Sequence, residues 1–76
     1  MSTQARPLLR SGSKGDAVKA VQERLNFLGY GPLVADGIFG SKTEAAVKLF
    51  QKDKGLTVDG IVGNFTWDTL FAFDNH

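Results

Sequence analysis

The 76-residue sequence predicts an all-α fold class, a small three-helix bundle with two repeated Asp-Gly loops and at most short β-bridges. Apolar residues recur at helical spacing in three stretches, and glycine-containing segments separate those stretches. A decapeptide is also written almost twice: ADGIFGSKTE at 35–44 returns as VDGIVGNFTW at 58–67. The shift of 23 positions places Asp36 on Asp59, Gly37 on Gly60, Ile38 on Ile61, Gly40 on Gly63 and Thr43 on Thr66. A period in the twenties marks a repeated supersecondary unit.

Residues 1–7 are polar up to Pro7 and are read as a flexible lead-in, so the domain spans 8–73 and 74–76 form a short tail. Leu8 and Leu9 are the first candidates to touch a core. Ser13 is the expected N-cap of the first helix, with Asp16 near the positive end of its dipole. Val18, Val21, Leu25 and Leu28 then form one apolar face, and Gly29 ends a helix predicted over 14–28. The following stretch, YGPLVADGIFG, holds too many glycines for a long element. Ser41 with Glu44 reads as a capping box opening a helix over 42–54, whose inward face is Ala46, Val47 and Phe50. Gly55 stops it, and Leu56 is placed to fold back on it. Asn64, the counterpart of Ser41, is expected to cap a third helix from Phe65 to Phe71 or beyond, with Thr66, Leu70 and Phe73 inward. Short β-bridges are expected around Val34–Asp36 and Thr57–Asp59.

Composition narrows the function classes. A chain this short buries roughly 60% of its unfolded surface, enough for one modest core. With no cysteine, disulfides and thiol chemistry are excluded, and the only histidine is the final residue, His76. No imidazole cluster can therefore hold a catalytic metal, and no cofactor is expected. A net charge of +1 with interspersed signs argues against nucleic acid, and no apolar run could span a membrane. The N-terminal stretch lacks the apolar core of a secretory signal. Nothing in the chain demands a dimer, so a monomer is expected.

Each repeated residue has a structural reading. Asp-Gly favours a tight turn, and a hydroxyl in the first helical turn can satisfy a free amide. Calcium is disfavoured because each loop offers one acid rather than a cluster of oxygen ligands, and no phosphate-loop motif is present. A ligand site remains open. Two helix N-termini facing one region, with aromatic and amide side chains beside them, could hold a sugar or peptide. The candidate residues are Phe39, Lys42, Asn64, Phe65 and Trp67, with Asp36 and Asp59 shaping the walls. Trp67 and Phe65 also read as core residues. Phe39 is expected to be the exposed one, because Ile38 already serves the core and the counterpart of Phe39 is only Val62.

The ordered positions resemble a known family. They run Gly12, Gly15, Asp16, Val18, Val21, Gln22, Leu25, Leu28 and Gly29, then Asp36, Gly37, Phe39, Gly40, Thr43, Ala46, Val47, Phe50 and Gln51. Gly55, Leu56, Asp59, Gly60, Gly63, Thr66, Trp67 and Leu70 complete the pattern, which covers Leu8 to Phe71. It is similar to the peptidoglycan-binding domain of type 1, with Val21 where leucine is commoner. The resemblance implies a non-catalytic module that docks on the glycan strands and stem peptides of murein and brings a covalently linked hydrolase to them. It further implies action at the bacterial wall, as in the N-terminal module of a phage endolysin released through a holin. Gln22 and Gln51 belong to the pattern, and the expected role of each amide is to satisfy loop backbone groups. The main alternative is an inhibitory prodomain of a peptidase, which would cover a catalytic groove. The cysteine switch of the related matrix metalloproteinase propeptides is impossible here. A small DNA-binding helical domain is the third reading.

Overall fold

The computed structural model describes residues 7–72. It contains α1 (Asp16–Phe27), α2 (Ser41–Asp53) and α3 (Asn64–Leu70), in the order the sequence predicts. The expected inward position of Phe73, the 74–76 tail and the first six residues of the lead-in lie outside the described residues. Among the described residues, no helix is long and apolar enough to cross a membrane.

Helical periodicity becomes packing directly. Val18, Val21 and Leu25 of α1 meet Ala46, Val47 and Phe50 of α2 and Leu70 of α3 in one core, with Leu9, Phe39, Val62 and Trp67 completing it. The first two helices end as the glycines require. Gly29 and Gly55 take φ of 94° and 73°, and Tyr30 N–H donates to the Leu25 carbonyl while Leu56 N–H donates to that of Gln51. This six-to-one bond is the Schellman closure.

Helix entry differs from the sequence reading. Gly15, Gly40 and Gly63 are the N-caps, and none of the three helices has a side-chain cap bond. Ser41 and Asn64 lie one residue inside, because the carbonyls of Gly40 and Gly63 already accept the first helical bonds from Glu44 and Trp67. Ser13 is drawn into a turn instead, where its Oγ accepts the Arg10 amide at 3.0 Å.

The β-bridges also fall elsewhere. Leu9 pairs with Val62 and Lys14 with Ile38, both antiparallel, so the N-terminal segment is stitched to both repeated loops. Pairing in extended conformation sends consecutive side chains to opposite sides. That alternation corrects two expectations: Leu9 is buried while Leu8 is 57% exposed, and Phe39 is 1% exposed while Ile38 is 51% exposed. Phe39 is held inward because its amide donates to the Ser13 carbonyl and its own carbonyl accepts from Gly12. Val62 does the same for the second loop against Leu9. In both loops the residue after isoleucine is therefore the one that enters the core.

Candidate functional site

One buried glutamine organises each repeated loop. From α1, Gln22 donates its Nε2 to the Ile38 carbonyl (2.9 Å), Thr43 Oγ1 (3.0 Å) and, at longer range, Asp36 Oδ1 (3.4 Å). Its Oε1 accepts the Gly37 amide at 2.9 Å. From α2, Gln51 repeats this with the Ile61 carbonyl (3.0 Å), Thr66 Oγ1 (3.2 Å) and Asp59 Oδ1 (3.0 Å), and its Oε1 accepts the amides of Asp59 and Gly60. Each aspartate also accepts, on the same Oδ1, the amide two residues on, at Ile38 or Ile61. Such an Asx turn fixes the loop locally, while the glutamine ties it to a helix. The expected role of Gln22 and Gln51 as satisfiers of loop backbone is what the structure shows. No buried side-chain nitrogen or oxygen among the described residues lacks a partner.

Over the second network lies a groove of about 530 Å³, walled by Leu8, Leu56, Ile61, Asn64 and Phe65, with Gln51 and Thr66 in its lining. Phe65 is 78% exposed in the first turn of α3. Leu8 reaches the groove from the N-terminal segment, which the Leu9–Val62 pair and a 2.8 Å bond from Trp67 Nε1 to the Pro7 carbonyl hold in place. Its Cδ1 would lie 3.7 Å from a Cβ at Gly63, so Leu8 packs on the loop beside the α3 entry. Among the described residues, Asp59 is the only ionisable side chain in the groove lining.

The first loop carries a counterpart of about 310 Å³, lined by Val34, Asp36, Ile38, Ser41 and Lys42 among others. Among the described residues, it shares none of its lining with the larger groove. The single region expected to unite both helix entries is thus two separate grooves, one per repeat. Asp59, Asn64 and Phe65 are brought together in the larger, and Asp36 and Lys42 in the smaller. Phe39 and Trp67 line neither, because both are buried in the core. Leu8 and Ile61 line the larger groove but are absent from the sequence-derived site. The adjacent leucines and the alternation in DGIVG were the signals for them. Among the described residues, no three His, Cys, Asp or Glu side chains converge as a metal site would require.

Comparison with known proteins adds the family. A family described as "putative peptidoglycan binding domain" matches residues 14–70. The zinc D-Ala-D-Ala carboxypeptidase of Streptomyces albus G is 43% identical over 69 residues, covering 88% of this chain and 27% of that enzyme. The crystal structure of the SleB N-terminal domain superposes with a TM-score of 0.87 at 32% identity, covering 93% of this chain and 97% of that one. The Burkholderia AP3 phage endolysin gives a TM-score of 0.84 at 43% identity, covering 88% of this chain and 26% of that chain. The chain spans about half the length of one curated relative and about a quarter of others. With the family match over most of its length and the same fold in these relatives, the chain belongs to the peptidoglycan-binding domain family.

Proposed function

We propose that this chain is a non-catalytic module that docks on murein and brings a covalently linked cell-wall hydrolase to its substrate. The observation that carries the reading is the larger groove, in which exposed Leu8 and Phe65 flank a floor locked by Gln51. Apolar side chains gathered around a concavity with a few polar groups are the usual lining of a ligand site. Family membership supplies the kind of ligand, and relatives such as the phage endolysin supply the kind of partner. In this reading Asp59, Asn64 and Phe65 contact the ligand, while Asp36 and Lys42 belong to a secondary surface on the first loop. Phe39 and Trp67 support the site from beneath. The module acts as a monomer at the bacterial wall.

The test is a pull-down of the purified chain with washed, protein-free sacculi. Retention at low salt and at ~0.3 M salt, where exposed charge pairs are largely screened, is the expected result. Loss of retention by a chain that still melts cooperatively would overturn the reading. Capture of a peptidase catalytic domain instead would favour the prodomain alternative.

A further inference from the structure

The larger groove is specific about the chemistry it can accept. Among the described residues, Asp59 is the only ionisable one in its lining, and none of them offers a countercharge to an anion. The Gln51 amide in its lining is committed: Nε2 serves three acceptors and Oε1 accepts two backbone amides. Thr66 Oγ1 is taken by the same amide. Both bonds to the Asp59 carboxylate go to Oδ1, leaving Oδ2 of this exposed side chain without a donor among the described residues. Beside it stand an exposed aromatic ring, Phe65, and the aliphatic side chains of Leu8 and Ile61.

Resting on the wall-binding reading, we propose that this groove takes an N-acetylated hexosamine of the glycan strand rather than a stem peptide. A pyranose ring presents a face of C–H groups, whose partial positive charge suits the negative face of an aromatic ring such as Phe65. The acetamido N–H is a donor for Asp59 Oδ2, and a hydrogen bond to an ionised acceptor is stronger than a neutral one. The acetamido methyl group fills the apolar corner between Leu8 and Ile61. A stem peptide would bring its own carboxylates against Asp59, with no cation among the described lining residues to offset them. Leu8 precedes the family-matched residues 14–70 and contributes one apolar wall of the groove.

The test is titration of the chain, followed by NMR, with the β-1,4-linked tetramer of N-acetylglucosamine and with cellotetraose. Cellotetraose has the same ring face but lacks the acetamido group. The acetylated tetramer should shift the signals of Leu8, Ile61, Asn64 and Phe65, and cellotetraose should bind at least about tenfold more weakly. Asp59→Asn keeps an Oδ1 acceptor for the loop but puts an NH₂ where the second oxygen was. It should weaken the acetylated tetramer about tenfold and weaken cellotetraose by less, so the gap between the two sugars narrows. Should that variant melt early, Phe65→Ala at the exposed wall serves in its place and should weaken both sugars. Equal affinity for the two tetramers, or the same shift map from a free stem peptide, would overturn the proposal. Sacculus retention without any response to the acetylated tetramer would overturn it while leaving the wall-binding reading intact. Loss of sacculus retention would remove both.

Discussion

Nε2 of Gln51 lies 3.0 Å from Oδ1 of Asp59, and that same carboxylate oxygen accepts the Ile61 amide at 2.9 Å. A helix side chain and a turn side chain thus share one atom, which makes the shape of the second loop depend on α2. The pair Gln22 and Asp36 repeats the relationship with a longer bond of 3.4 Å. Although the loops are 23 residues apart, the glutamines are 29 apart. The network is conserved between the repeats in geometry rather than in strict register.

Replacing either glutamine by leucine keeps the volume and leaves backbone groups without partners. Gln51→Leu strands the amides of Asp59 and Gly60, whereas Gln22→Leu strands that of Gly37. Gln51→Leu should cost about 2–4 kcal/mol and Gln22→Leu less, read from urea unfolding. Equal stability of Gln51→Leu and the parent would mean that the network does not hold the loop.

Gly37 and Gly60 adopt φ of 79° and 74°, which costs an L-residue about 1–2 kcal/mol. A Cβ at Gly37 would sit 3.1 Å from the Gly15 carbonyl oxygen, part of the backbone at the α1 N-cap. At Gly60 the neighbours are Glu44 Cγ and Lys48 Cε, both at 3.0 Å and both on side chains that can swing away. Gly37→Ala should therefore destabilise more than Gly60→Ala in thermal melts. The reverse order would contradict the packing of the first loop on α1.

Phe39 is a core residue, so Phe39→Ala should cost about 3–4 kcal/mol through lost burial and the cavity left behind. A calorimetric melt close to that of the parent would show that Phe39 does not fill the core.

The Tyr30 hydroxyl donates to Asp53 Oδ2 at 2.8 Å, and this bond, then desolvation and the carboxylate's charge, raises the phenolic pKa. The fold thus favours the neutral phenol. Its contribution is fully present below the ordinary tyrosine value of about 10 and is lost as pH rises through the higher folded value. The parent should lose its stability advantage over Tyr30→Phe progressively as pH rises above about 10. A stability difference that stays constant across that range would mean the phenol is not linked to folding.

Much of this was legible from residue order alone. Three apolar stripes, with closing glycines after the first two, fixed the helices, because period and positive-φ stops are local signals. Which of Ile38 and Phe39 turns inward was not local. It depends on pairing with Ser13 and Gly12, far away in sequence, and a shift of one residue flips the face. The caps at Gly40 and Gly63 were hidden for a related reason: Ser41 and Asn64 have cap chemistry, but the loop backbone starts each helix one residue earlier. Of the site, Asp59, Asn64 and Phe65 were found together because they are close in sequence. Leu8 was missed as a wall because its place follows from the Leu9–Val62 bridge.

The most direct measurement is sacculus retention of Phe65→Ala beside the parent, with the melting temperature of each. Phe65 is exposed, so the substitution should change stability by no more than about 0.5 kcal/mol. Retention should fall at least about tenfold at an unchanged melting temperature. Full retention by the variant would place the murein-binding surface elsewhere on the domain and contradict the central claim.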